Sequence, residues 1–391
     1  MTIPYGRQSI SIADIQAVSD VLNSEFLTQG PVVPEFEAAL SHRCGAKFAV
    51  AMNSATSALH VACMALGVQP GDRVWTSPIT FVASANCARY CGADVEFVDI
   101  DSRTYNMCPS RLEAKLVAAQ QTGTLPKVVI PVHLGGQSCD MAAIHNLAKT
   151  YGFSIIEDAS HAVGGTYLSE PVGNCQFSDI AVFSFHPVKI ITTGEGGMAL
   201  TNDESLANTM SRLRTHGITR DVSEMQTSSE GSWYYEQLDL GYNYRLTDIA
   251  ATLGISQFQR IDEFVERRHQ IANTYNSLFA HTSVKRPWQH PDSYSAFHLY
   301  IARIDFALQN TTQRDVFDEL RGKGIMANLH YIPVYRQPYY RQFGYSNADY
   351  PESEKYYAEA ISLPMYPDLS VDEQSFVAQT LLAAIGEVSE K

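Results

Sequence analysis

No apolar run in this 391-residue chain is long enough to cross a bilayer, and its first residues lack the charged, apolar and small succession of a secretory leader. Basic residues are in deficit. Lys and Arg number 28 against 42 Asp and Glu, a formal net charge of −14. With no basic stripe to offset that charge, a nucleic-acid partner is excluded, and an anionic substrate would need local groups to hold it. The seven cysteines (Cys44, Cys63, Cys87, Cys91, Cys108, Cys139 and Cys175) are odd in number, and no pair has zinc-ribbon spacing. They read as reduced thiols in a cytoplasmic protein with no metal site. Internal repeats and low-complexity segments are missing as well.

What is present is a large apolar interior. Hydrophobic residues make up 45% of the chain and charged residues 18%, and the length predicts two domains. After predicted helices over 14–23 and 35–43, strand-like and helix-like stretches alternate. Strands are expected at 48–52, 73–76, 95–99, 127–132 and 154–157, with helices at 57–66, 83–90, 109–118 and 141–151 between them. That alternation predicts an α/β fold with a mostly parallel sheet. Two further strands, 181–185 and 197–201, flank a glycine-rich turn, and residues 215–240 read as irregular. Apolar residues at helical spacing from Ile255 to Leu278 predict one long helix over 248–279. A strand at 298–304 and a helix at 312–323 follow. The division is placed near 255: a large domain over 1–255 and a smaller C-terminal α/β domain over 256–391.

The stretch Val182-Phe-Ser-Phe-His-Pro-Val-Lys-Ile-Ile-Thr-Thr-Gly-Glu-Gly-Gly197 carries the chemistry. Lys189 stands in an otherwise uncharged run between a strand and the glycine turn. A lysine short of water loses its proton more easily and becomes an amine nucleophile for a carbonyl. Ser154-Ile-Ile-Glu-Asp158 reads as a neighbouring strand ending in carboxylates. An acid for a ring nitrogen and a lysine for an aldehyde are the pair a pyridoxal phosphate (PLP) enzyme needs. An aspartate here would equally cap a helix opening at Ala159. His161, a turn beyond, would lie beside the cofactor's phenolic oxygen or sit in the core.

Asn53-Ser-Ala-Thr-Ser-Ala58 opens a helix after a strand. The amides of Ala55 and Thr56, the Thr56 hydroxyl and the helix dipole suit a phosphate, and Ser184 adds a hydroxyl. Phe81, past another strand, would stack on a flat ring or fill the core. Asn243 gains interest only if its loop reaches across a two-fold interface.

Together with Leu27-Thr-Gln-Gly30, Thr80-Phe-Val-Ala-Ser-Ala-Asn86, Val132-His-Leu-Gly-Gly136 and Asn243-Tyr-Arg245, these motifs make the chain resemble the DegT/DnrJ/EryC1/StrS nucleotide-sugar aminotransferases, from Tyr5 to about Pro367. The resemblance implies a fold-type I PLP-dependent transferase with a seven-stranded large domain. It implies an internal aldimine on Lys189, Asp158 on the ring nitrogen, and His161 beside the cofactor. Ala55, Thr56 and Ser184 would hold the phosphate, with Asn243 donated by the partner of a homodimer with shared sites. Phe81 stands where some relatives stack Trp. Tyr5, the segment Glu25, Phe26, Leu27 and Thr28, and His330, Tyr331, Ile332 and Pro333 match segments lining the sugar-nucleotide cleft, to which Ala55, Ser184 and Asn243 also belong. Relatives that dehydrate their sugars carry histidine in place of the lysine, so Lys189 points to amino transfer.

Within the family the loop motifs resemble members of pseudaminic acid biosynthesis. These transfer the amino group of L-glutamate to C4 of UDP-2-acetamido-2,6-dideoxy-β-L-arabino-hex-4-ulose. Members acting on UDP-4-keto-arabinose or on a dTDP-keto-sugar remain alternatives, and a non-catalytic PLP-binding regulator is the alternative of another class.

Overall fold

The computed structural model describes residues 2–387. Its centre is a seven-stranded sheet. In chain order the strands are β1 (Phe48–Met52), β2 (Arg73–Thr76), β3 (Asp94–Phe97), β4 (Val128–Ile130), β5 (Ser154–Asp158), β6 (Ile180–Ser184) and β7 (Gly197–Thr201). They lie in the order β1-β7-β6-β5-β4-β2-β3. Only β7 runs against its neighbours, with Gly197 opposite Met52 on one side and Ser184 on the other. The expected mostly parallel α/β sheet is therefore present.

Both faces of the sheet are buried, and side chains alternate between them. Ile156, Ile180, Val182 and Ala199 enter one core with the helices Ala55–Ala65 and Ala83–Tyr90. Ala181, Phe183, Met198 and Leu200 enter another with Phe36, Leu40 and Phe264. A third core gathers Ile271, Tyr275, Tyr300, Ile361 and Leu381. The division near residue 255 is retained as a proposal. Ile3 crosses it, because the strand Ile3–Pro4 pairs with Ile325–Met326 and packs in the third core.

The helix predicted over 248–279 is two helices, Asp248–Phe258 and Ile261–Leu278. Arg260 leaves helical geometry (φ −107°, ψ 12°), and its guanidinium reaches the buried Asp14 carboxylate at 2.6 Å. Ser256 and Gln257 donate to the same carboxylate. A pair 246 residues apart sets the break, and the apolar spacing carries no trace of it. A second difference matters for the site. The helix expected from Ser57 starts at Ala55, because the Ser54 hydroxyl accepts from the Ser57 amide and caps it there.

Strand β7 begins against that helix start. A Cβ at residue 197 would lie 2.4 Å from the Ala55 nitrogen, so only glycine lets the strand approach. Gly197→Ala is expected to cost about 1–3 kcal/mol through overpacking, seen as a lower urea midpoint. An unchanged midpoint would contradict the close approach.

Candidate active site

A parallel sheet presents its ligand crevice at the carboxyl ends of its strands. Here the ends of β1, β5 and β6, the segment after β2 and the start of β7 surround a cavity of about 610 Å³. Tyr5, Ala55, Thr56, Phe81, Asp158, His161, Ser184, Lys189, His330 and Tyr331 all line it. These ten sequence-predicted residues are thus brought together from stretches far apart in the chain.

Lys189 stands on a cross-braced loop. Phe185 and Gly196 bond through their backbones at 2.9 Å, and Thr193 N–H returns to the Phe185 carbonyl at 3.0 Å. The Thr192 hydroxyl donates to that carbonyl and accepts from Gly194 N–H. Buried Ile190 and Ile191 anchor the loop below. The lysine side chain keeps some surface toward the cavity but is walled by protein. Loss of hydration lowers its pKa from 10.5 to about 8, although the Asp158 carboxylate pulls the other way. The amine is therefore much easier to deprotonate than one in water.

Asp158 closes β5 and is buried. No helix opens at Ala159: residues 159–165 are turns, so the capping alternative falls away. One carboxylate oxygen accepts from Ser160 N–H at 3.1 Å, and the other from the Ser84 hydroxyl at 2.6 Å. Ser84 in turn lies 2.7 Å from the Thr80 hydroxyl. Ser84 escaped sequence reasoning. Its signal was present as a serine four residues after Thr80, inside the Thr80–Asn86 motif and on the short helix Ala83–Tyr90.

His161 sits on the turn after β5. Its Nδ1 accepts from Gly135 N–H at 3.3 Å, and its Nε2 lies 3.1 Å from the Tyr331 hydroxyl. The His298 ring, also missed, is 4.3 Å away. Burial, then the charge of Lys189, holds His161 well below the usual histidine range. The same two causes push His330 down to about 3. These imidazoles are neutral at pH 7 and add no charge to the cavity.

The start of the helix Ala55–Ala65 leaves the first two amides, Ala55 and Thr56, without intrahelical acceptors. Thr56 and Ser184 line the same cavity. Phe81 is 57% exposed, its ring 6.1 Å from that of Tyr331, and is not a core residue. Glu195 and His186, at the cavity wall, were not anticipated.

The remaining predicted residues lie apart from the cavity of a single chain. Asn243 is exposed, on an extended segment beside the end of β1, where Asn53 N–H donates to the Tyr244 carbonyl at 2.8 Å. Glu25, Phe26, Leu27 and Thr28 are exposed next to that segment, with Thr28 bridged to Thr247. Ile332 is exposed and Pro333 buried, neither on the cavity wall. Among the described residues no helix is long and apolar enough to cross a membrane.

The family model described as the DegT/DnrJ/EryC1/StrS aminotransferase family matches residues 8–382. The spore coat polysaccharide biosynthesis protein SpsC of Bacillus subtilis is 40% identical over 97% of this chain and 96% of its own length. The UDP-4-amino-4,6-dideoxy-N-acetyl-β-L-altrosamine transaminase of Campylobacter jejuni is 37% identical over 99% and 98%. Among solved structures, Helicobacter pylori PseC, an aminotransferase of pseudaminic acid biosynthesis, superposes with a TM-score of 0.89 at 30% identity, covering 99% of this chain and 100% of that one. The protein Spr1654 of Streptococcus pneumoniae in its PLP form gives 0.87 at 29%, covering 99% of each.

The dehydration of Lys189 has a measurable consequence in cofactor-free protein. A lysine whose folded pKa lies below its unfolded value destabilises fully below the folded pKa, and the penalty fades as pH rises toward the unfolded one. Lys189→Met should therefore be more stable than the parent at pH 7. The gap in urea midpoint should narrow as pH rises from about 8 to 10.5. A gap independent of pH would show that the lysine titrates as in water.

Proposed function

The chain belongs to the DegT/DnrJ/EryC1/StrS aminotransferase family, and from that premise we propose that it transfers the amino group of L-glutamate to C4 of UDP-2-acetamido-2,6-dideoxy-β-L-arabino-hex-4-ulose. The product would be UDP-4-amino-4,6-dideoxy-N-acetyl-β-L-altrosamine. The observation that carries the reading is Lys189 held short of water in the same cavity as the Asp158 carboxylate. The Campylobacter transaminase and PseC, similar over nearly the whole chain, support the choice of sugar.

The residues fit PLP. Two free helix amides, Ala55 and Thr56, with the hydroxyls of Thr56 and Ser184, suit a phosphate. Asp158, its second oxygen fixed by Ser84, suits a protonated pyridine nitrogen. The exposed Phe81 ring suits a flat aromatic face. When bound, PLP supplies an aldehyde that captures amines and a ring that draws electrons from the adjoining carbon. Lys189 would anchor that aldehyde between turnovers.

Lys189 then does the proton work. Its neutral amine would take the proton from Cα of glutamate and, as the ammonium, pass it on. In the sugar half-reaction it would again take up a proton and, as the ammonium, deliver it to C4 of the sugar. The cross-braced loop would hold the amine on one face of the bound cofactor, so that the proton would arrive from one side. Tyr5, His330 and Tyr331 would line the sugar-nucleotide end. Asn243 and the segment Glu25–Thr28, both exposed and adjacent, would complete the site from a second copy of the chain, Asn243 toward the phosphate.

A second reading is an aminotransferase for another nucleotide keto-sugar, such as UDP-4-keto-arabinose or a dTDP-keto-sugar. It is favoured by SpsC, which is more similar in sequence than the Campylobacter transaminase and is named for spore coat polysaccharide biosynthesis rather than for that amino sugar.

Holoenzyme given glutamate and a panel of UDP- and dTDP-keto-sugars should form the amino sugar and 2-oxoglutarate with the UDP-4-keto-hexosamine, followed by mass spectrometry. Turnover of a dTDP-sugar alone would overturn the choice of substrate, and an unchanged visible spectrum on adding glutamate would overturn amino transfer itself. Asn243→Ala should weaken cofactor retention. Mixed dimers of Asn243→Ala with Lys189→Ala should regain partial activity, and failure of that complementation would remove the shared site.

A further inference from the structure

Ser84, fully buried on the helix Ala83–Tyr90, places its hydroxyl between two polar groups of the site. Its Oγ lies 2.6 Å from an Asp158 carboxylate oxygen and 2.7 Å from the Thr80 hydroxyl. A third neighbour, the Phe81 carbonyl, is 3.4 Å away. Ser84 has one hydrogen to give, and a carboxylate can only accept. The shortest bond, to the charged acceptor, takes that hydrogen. Thr80 must then donate to Ser84, and its hydroxyl has no other hydrogen-bond partner among the described residues. The hydrogens therefore run one way, from Thr80 through Ser84 to Asp158.

The chain ends on a carboxylate with both oxygens engaged. The other oxygen accepts from Ser160 N–H at 3.1 Å, and no further hydrogen bond reaches the Asp158 side chain among the described residues. Lys189 and the Tyr331 phenol face it through charge alone. Ser84 is the second residue of its helix, so the positive end of the helix dipole also lies beside the carboxylate. Thr80 directly precedes the exposed Phe81 ring. One short segment, 80–84, thus carries both the aromatic face of the cavity and the donors that hold its acid.

Donors bonded to a carboxylate favour its ionised form, and a hydroxyl that itself accepts a hydrogen bond donates more strongly. We propose that Thr80 and Ser84 are positioning residues that keep the shared proton on the pyridine nitrogen of PLP rather than on Asp158, and so set how strongly the ring draws electrons. The proposal rests on the PLP reading above and deepens it. That draw serves the glutamate and the sugar half-reactions alike, so the pair would act whichever keto-sugar is the substrate.

Two measurements test it, and the first needs no cofactor. In a double-mutant cycle on cofactor-free protein, the loss in urea midpoint on Ser84→Ala should be much smaller when Asp158 is already alanine. Equal losses in the two backgrounds would overturn the bond on which the proposal stands. The second uses holoenzyme reconstituted with PLP carrying ¹⁵N at the ring nitrogen, which should be protonated in the parent at pH 7. Ser84→Ala should move the resonance toward the unprotonated value, the proton balance shifting about tenfold, the scale of one hydrogen bond to a charged group. Thr80→Val should move it the same way by less. A merely structural loss would weaken PLP retention and leave the nitrogen protonated. An unmoved resonance in either variant would overturn the proposal, and Thr80→Val, close in shape to the parent, decides it should Ser84→Ala fail to fold. If the parent binds no PLP, the cofactor reading fails separately, and the cycle still decides the bond.

Discussion

The site is organised by the cost of keeping a lysine amine out of water. A hydrated ammonium is stable and unreactive at neutral pH. Lys189, walled by protein at the end of the sheet, holds its proton weakly. The rest of the architecture bears on that one condition. The antiparallel entry of β7 beside β1 and β6 brings the glycine turn back over the lysine loop. The threonine pair 192 and 193 ties that loop to the Phe185 carbonyl. Side chains on both faces of β6 and β7 are buried, so the platform beneath is rigid.

Electrostatics complete the arrangement. Asp158 attracts the ammonium but is already engaged by Ser84 and Ser160, and burial remains the larger influence on Lys189. His161, His298 and His330 are each pushed well down by burial first and by neighbouring charge second. A cavity wall of neutral imidazoles offers directional hydrogen bonds without adding positive charge to that of Lys189. Under the proposed reaction, the lysine would then be the group that exchanges protons.

Much of this was legible in the sequence, for a local reason. Strand ends in a parallel sheet are marked by short apolar runs stopping at small or charged residues. Asp158, Ser184 and the Ala55-Thr56 pair stand at such stops, so their convergence follows from topology alone. Lys189 follows from the uncharged company it keeps. The less legible features are set by distant partners. The break at Arg260 answers to Asp14, and the orientation of His161 answers to Gly135 and Tyr331. Periodicity has no term for such pairs. Asn243 and Glu25–Thr28 enter the proposed site only through family resemblance, because a single chain leaves them exposed outside the cavity.

The most direct test of the central claim is covalent. Holoenzyme reduced with borohydride, digested and analysed by mass spectrometry should carry a phosphopyridoxyl group on the peptide containing Lys189. A label on another lysine, or no label on a protein that has bound PLP, would contradict the assignment of Lys189 as the reactive amine.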